Sequence, residues 1–247
     1  MSREIILSIE NVVKKFGGLY ALNGINMEVE EGSIVGLIGP NGSGKTTLFN
    51  VITGFYPPED GYIRFQGRDI TRLRPYLIAR AGIGRTYQVV RPFEGMTVRE
   101  NVLVGGLFGR GKGDKSIKLD DWCNEALKVT DLEAKADTPS ELLSFTGKRR
   151  LEIARALALR PKLLLLDEIM AGLTPTEVDE SLQIIKKMRD NYGLTIIVVE
   201  HIMRAVMAVS EKIVVLSEGV KIAEGPPKKV ADDPEVIDAY LGEREAS

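Results

Sequence analysis

The chain has 247 residues, enough for one large domain or a domain with a subdomain, and its 44% apolar content suffices for a sizeable core. A net charge of −2 argues against a bulk nucleic-acid binder, which would carry a basic field, and the single cysteine, Cys123, excludes an internal disulfide and suits a reducing cytosol. Residues 1–8 carry no signal-like apolar region, and runs such as 163–166 and 196–199 fall far short of the ~20 residues of a membrane span, so the chain is expected to be soluble alone.

Residues 5–12 and 25–30 read as strands, the second with clean alternation, and Phe16-Gly17-Gly18 between them reads as a turn carrying an aromatic. Residues 33–38 are apolar enough for a buried strand. Gly39-Pro40-Asn41-Gly42-Ser43-Gly44-Lys45-Thr46 follows and fits the phosphate-loop pattern Gly-x-x-x-x-Gly-Lys-Ser/Thr at every position. Residues 46–52 then read as a helix, which completes the strand, loop and helix the motif requires. Backbone N–H groups at a helix start lack intrahelical acceptors and point at a bound anion. Gly42 and Gly44 permit close approach, the Lys45 ammonium meets the β- and γ-phosphates, and the Thr46 hydroxyl ligates Mg²⁺.

Residues 61–67 form another alternating strand closed by glycine. Residues 84–88 read as a strand running into a loop at Gln88. From 89 to 160 the texture turns helical. Gly105, Gly106, Gly109, Gly111 and Gly113, with Lys112 and Lys115, read as a flexible loop. Residues 120–127 start a helix with acidic residues in its first turn, where Trp122 and Cys123 are packing residues. Residues 143–157 begin polar and continue amphipathically. They form either an ordinary capped helix or one whose N-terminus receives a phosphate.

Residues 162–166 form an apolar strand that ends in two carboxylates, Asp167 and Glu168. The carboxyl ends of strands are where open α/β sheets bind ligands, so Asp167 is placed to hold Mg²⁺ and Glu168 to polarise a water. Thr174-Pro175 opens a helix with Val178, Leu182, Ile185 and Met188 as its buried stripe and Gly193 after its end. Residues 195–199 form a fully apolar strand ending at Glu200-His201. His201, the only histidine, either contacts a γ-phosphate or the attacking water, or caps and packs the next helix. Two strands, 212–216 and 220–224, pair around Glu218-Gly219, and Asp233-Pro234 starts a terminal helix through Tyr240.

Taken together these stations resemble the ATP-binding cassette (ABC) ATPases over essentially the full length. Residues 39–46 match Walker A, 163–167 Walker B, Glu168 the catalytic glutamate, Gln88 the Q-loop and His201 the switch histidine. Phe16 falls where the family stacks an aromatic on adenine; Tyr20 is a weaker candidate. The resemblance implies an α/β fold of the P-loop NTPase class, with a RecA-like core, an antiparallel β subdomain and a helical signature subdomain. It places the core and β subdomain in 1–88 and 161–247, and the helical subdomain in 89–160. It implies ATP and Mg²⁺ as cofactors. Nucleotide contacts fall on Phe16, residues 39–46 and Thr47, and on Ser144, Thr146 and Gly147 from a facing cassette. Metal ligands fall on Thr46, Gln88 and Asp167. The catalytic residues implied are Glu168, His201 and Gln88.

Finer features are similar to the cassettes of branched-chain amino acid importers. These are Lys14-Lys15-Phe16-Gly17-Gly18-Leu19, Gly84-Arg85-Thr86-Tyr87-Gln88 with Arg91-Pro92-Phe93, residues 149–157, and the ending from Ala223-Glu224-Gly225-Pro226 to Ala239-Tyr240-Leu241-Gly242. Urea and lipopolysaccharide cassettes share parts of this set. The resemblance implies a second cassette, homo- or heterodimeric, permease subunits, an indirect link to a solute-binding protein, no nucleic acid, and a place in the cytoplasm on the inner face of the membrane. A DNA-repair cassette is disfavoured, because the roughly 120 residues between Lys45 and Asp167 hold no sustained heptads. A GTPase is disfavoured by the lack of an Asn-Lys-x-Asp motif.

Three departures stand out. The signature reads Leu143-Ser144-Phe145-Thr146-Gly147 in place of the family's Leu-Ser-Gly-Gly-Gln. Ile169 follows Glu168 where proline is usual. Thr174 stands where many members carry aspartate. A β-branched Thr146 adds bulk beside an N–H that faces phosphate, so Thr146→Gly is expected to raise turnover of the isolated chain. A weakly hydrolysing cassette that acts as a nucleotide-binding structural partner stays open on these grounds.

Overall fold

A computed structural model describes residues 3–88, 91–109 and 118–245. In chain order the elements begin β1 (Ile5–Phe16), β2 (Leu19–Glu30), β3 (Ile34–Ile38), α1 (Lys45–Ile52), β4 (Asp60–Phe65), β5 (Arg68–Asp69) and α2 (Pro75–Ala81). They continue with β6 (Ile83–Arg85), α3 (Val98–Phe108), α4 (Leu119–Val129), α5 (Phe145–Ala158), β7 (Leu163–Asp167) and α6 (Pro175–Tyr192). The last are β8 (Thr195–Val199), α7 (Met203–Val209), β9 (Lys212–Ser217), β10 (Val220–Gly225), α8 (Pro227–Ala231) and α9 (Pro234–Glu245). Two compact units result. One runs to Ile78 and resumes at Thr195; the other is Ala79–Leu194.

The first unit holds an antiparallel sheet in the order β2-β1-β4-β5. Strands β1 and β2 are longer than the alternation suggests, because they run to a tight turn at Gly17-Gly18, with Phe16 opposite Leu19 and Gly17 at φ 59°. Register slips between Ile9 and Val12 interrupt the pairing. There Asn11 takes φ 49° and exchanges hydrogen bonds with Asn26, whose side chain accepts from the Asn11 N–H at 3.0 Å and donates to Asn11 Oδ1 at 2.9 Å. The bulge lets Ile9, Val12, Leu22, Ile25, Met27 and Val29 all face the core.

In the same unit β3 lies parallel to β8 on one side and β9 on the other, and β10 closes antiparallel on β9. Every residue of β3 and β8 is buried, as a strand covered on both faces requires. The carboxyl end of β3 delivers the chain into residues 39–44 and then into α1.

In the second unit β6 pairs in parallel with β7, whose five residues are all buried. Helices α3, α4 and α5 pack on one another, and the Trp122 indole N–H on α4 donates to the Leu157 carbonyl on α5 at 3.1 Å. Cys123 is buried and its thiol is pushed up to about 11 by burial, so it packs rather than reacts. Helix α6 starts with a capping box between Thr174 and Glu177 and ends at Gly193 in the left-handed region.

The glycine-rich loop is corrected in part. Gly105 and Gly106 lie inside α3, and Gly109 caps it. A Cβ at Gly105 would come within 2.4 Å of the Arg155 carbonyl oxygen, and one at Gly106 within 2.4 Å of Leu119 Cδ1. These glycines serve close helix packing, not flexibility. Gly111, Lys112, Gly113 and Lys115 lie outside the described residues.

Candidate nucleotide site

In the first unit the loop of residues 39–44 is shaped by three glycines in the left-handed region, two of which leave no room for a side chain. Gly39, Gly42 and Gly44 take φ of 149°, 75° and 103°. A Cβ at Gly39 would sit 2.0 Å from the Leu216 carbonyl oxygen, and one at Gly44 2.6 Å from that of Ala21. Gly42 has open space around it, so its glycine answers to backbone conformation alone. The loop is tied from outside by Asn23 N–H to Gly219 O at 2.7 Å and Gly219 N–H to Ser43 O at 3.1 Å.

Helix α1 begins at N-cap Gly44 with no side-chain cap and no acidic residue in its first turn. That uncapped start, on a backbone a Cβ would obstruct, fits a phosphate. The Lys45 ammonium is buried and folded over the loop, donating to the carbonyls of Gly39 and Pro40, both at 2.7 Å, and to Ser43 Oγ at 3.3 Å. It is thus held over the loop carbonyls, which places a positive charge at the glycine loop. Thr46 and His201 are exposed, His201 in a bend just past β8.

Phe16 is half exposed, and its ring meets Tyr56 edge-on at 5.1 Å. The Lys14 ammonium lies 5.4 Å from the Phe16 ring and is pinned by the Pro57 carbonyl at 2.9 Å and Glu59 at 2.8 Å. Phe16 is therefore a braced aromatic face of the kind a purine stacks on. Tyr20 is also half exposed, and the Lys15 ammonium lies over its ring at 4.2 Å.

The second unit carries the carboxylates. Asp167 ends β7, and its Oδ2 accepts from Arg85 Nη2 at 2.8 Å with both side chains buried. Its backbone N–H donates to Thr86 Oγ1 at 3.1 Å. Glu168 follows with φ 49°, one of six non-glycine residues in the left-handed region among the described residues, a conformation that costs a residue with a Cβ about 1–3 kcal/mol. Gln88 Nε2 donates to Glu168 Oε2 at 2.7 Å. The Q-loop candidate and the glutamate are thus brought together.

Helix α5 holds that loop. Arg149 Nη1 donates to the Gln88 carbonyl at 2.7 Å, and Arg155 Nη1 to that of Arg91 at 2.9 Å. Between them Glu152 is buried, which pushes its carboxyl up, while Arg155 and the backbone N–H groups of Arg91 and Tyr87 pull it back. Ser144 is the N-cap of α5 and accepts from Gly147 N–H at 3.1 Å. Phe145 is exposed, with the Arg149 guanidinium 5.2 Å from its ring, and the Thr146 hydroxyl donates to Glu177.

Among the described residues no cluster of three or more acidic, histidine or cysteine side chains suits a metal. Arg85, Arg149 and Glu177 were not singled out from sequence. Glu177 had a signal, since Thr174-x-x-Glu177 is a capping-box spacing. The two arginines lie in stretches that resemble branched-chain importer cassettes, but nothing in those stretches assigned either a partner.

The ABC transporter family model matches residues 22–171, and a model described as branched-chain amino acid ATP-binding cassette transporter matches residues 220–246. A high-affinity branched-chain amino acid transport ATP-binding protein of Pseudomonas aeruginosa is 42% identical, over 98% of this chain and 100% of that protein. One of the same description from Escherichia coli is 39% identical, over 96% and 98%. Among solved structures, the ADP conformation of an ATP-binding cassette of an ABC transporter superposes with TM-score 0.87 at 33% identity, covering 97% of this chain and 99% of that one. A dimeric cassette in a post-hydrolysis state, bound to ADP and Pi, gives 0.77 at 28% identity, covering 90% and 98%. The chain belongs to the ATP-binding cassette family of ABC transporters. It has that family's α/β fold and is an ATP-binding ATPase of that class. No helix among the described residues is long and apolar enough to cross a membrane.

Proposed function

We propose that this chain is the ATP-hydrolysing subunit of a branched-chain amino acid importer, seated on the cytoplasmic face of the membrane beside a second cassette and transmembrane permease subunits. The observation that supports this most is the full-length similarity, at 42% identity, to a protein named for that transport. The branched-chain model over residues 220–246 supports it independently.

Each site residue has a proposed role. Residues 39–46 and Thr47 cradle the phosphates, Lys45 neutralises them, and Phe16 stacks the base. Thr46, Gln88 and Asp167 are the proposed ligands of Mg²⁺, which when bound supplies charge neutralisation on the phosphates. Glu168 takes the proton of the attacking water, and His201 orients the γ-phosphate. Ser144, Thr146 and Gly147 serve the nucleotide on a facing cassette.

The test is reconstitution of the chain with its permeases and partner cassette in liposomes. ATP-dependent uptake of leucine, isoleucine or valine, absent with Lys45→Ala, is the expected result. Uptake of urea alone, or ATP turnover indifferent to permeases, would overturn the reading.

A further inference from the structure

Two positions where the chain departs from its family meet on one side chain. Glu177 Oε2 accepts from the Thr174 N–H at 2.9 Å and the Thr174 hydroxyl at 2.8 Å, closing the capping box of α6. Its other oxygen, Oε1, accepts from the hydroxyl of Thr146. A capping box is local to one helix. The third donor comes from the first turn of α5, so the carboxylate bridges two helices. Those bonds, the Thr146 hydroxyl foremost, lower the Glu177 carboxyl from its ordinary value.

The bridge has reinforcement on both sides. One turn further along, Arg150 on α5 pairs with Glu180 on α6. On the other flank the Phe145 ring lies against Gly172, its edge carbon 3.5 Å from where a Cβ at that glycine would stand. Gly172 is in the loop between Glu168 and Thr174, whose start is anchored by buried Ile169 and Met170. Glycines at 145 and 146, the family pattern, would make neither contact.

The contacts form a closed circuit. From Glu168 the chain runs through Gly172 to Thr174, and Glu177 carries the connection to Thr146. Phe145 beside it stacks on Arg149, which holds the Gln88 carbonyl, and the Gln88 amide returns to Glu168. We propose that Glu177 is a positioning residue for ATP hydrolysis: by bridging Thr146 and Thr174 it fixes the signature turn and the loop after Glu168 as one body. The departures at Phe145, Thr146 and Thr174 are then parts of one device, and Thr146 acts through its hydroxyl. This rests on the role of Glu168 proposed above.

The test uses Thr146→Val, which removes the hydroxyl at nearly constant volume, Thr146→Ser, which keeps it, Glu177→Ala, and the double variant Thr146→Val with Glu177→Ala. Turnover at saturating ATP should fall about three- to ten-fold for Thr146→Val and for Glu177→Ala, the scale of one ordinary intramolecular hydrogen bond. The double variant should fall no further, Thr146→Ser should recover most of the turnover that Thr146→Val loses, and for Glu177→Ala, whose side chain is in no proposed nucleotide contact, KM for ATP should stay within about two-fold. Thr146→Gly, which steric reasoning expects to gain, should lose as well. Independent of activity, amides of 168–174 should exchange hydrogen about three- to ten-fold faster in Thr146→Val. Multiplying losses, a Ser variant behaving as Val, a gain for Thr146→Gly, or unchanged exchange in 168–174 would overturn the proposal. A wild-type chain without ATP turnover would instead overturn the proposed function, while the exchange measurement still reads the bridge.

Discussion

Arg85 Nη2 lies 2.8 Å from Asp167 Oδ2, and the two side chains are 6% and 3% exposed, so the carboxylate at the end of β7 is neutralised from β6 inside the protein. Removing one partner of such a pair leaves the other charge buried and uncompensated, which costs about 3–5 kcal/mol. Arg85→Met should therefore destabilise the chain on that scale in urea unfolding. Adding Asp167→Asn should return most of the loss, because the orphaned charge is gone. A loss below about 1 kcal/mol for the single variant would mean that water reaches the pair.

A pH dependence follows from Glu224. Burial pushes its carboxyl up, but hydrogen bonds from Lys212 at 2.7 Å and from Lys221 outweigh it, and the net shift is downward from 4.5. A carboxyl lowered by folding stabilises the native state above its unfolded value and loses that contribution as pH falls through the folded one. Wild type should thus unfold at a higher temperature than Glu224→Gln at about pH 7, by an amount equivalent to about 0.2–1 kcal/mol. The two should converge as pH falls below about 4. A gap that persists in acid would assign the difference to packing rather than charge.

Much of this was legible in the sequence, and what was missed has a physical cause. The phosphate loop, the apolar strand ending at Asp167 and the cap at Thr174 are local patterns, each fixed by residues within a few positions. Gly105 and Gly106 misled because a glycine that admits a neighbouring helix and one that frees a loop look the same in one dimension. The hold of Arg149 on Gln88 spans 61 positions and that of Thr146 on Glu177 spans 31. No periodicity reports such pairs. The sequence marked Thr146 and Thr174 as separate anomalies, and only the fold shows that one carboxylate receives both.

Glu168→Gln should bind ATP as wild type does and hydrolyse it far more slowly, since the amide cannot accept the water's proton. General-base loss is worth about 10²–10⁴-fold in rate. Gln88 can still bond the substituted amide oxygen, so the loop geometry should survive. Steady-state turnover near that of wild type would remove Glu168 from its proposed role.

The most direct test of the account is ATP titration of the purified chain against Lys45→Ala, in the presence of Mg²⁺. The Lys45 ammonium is folded over the loop carbonyls of Gly39 and Pro40, and in its proposed role it turns to the phosphates of a nucleotide on that loop. Losing a charged hydrogen-bonding partner costs about 1.5–3 kcal/mol, so affinity should fall about ten- to a hundred-fold while the fold, followed by circular dichroism, is retained. Equal affinity in the two proteins would contradict the assignment of residues 39–46 as the nucleotide cradle, and with it the mechanism built on that loop.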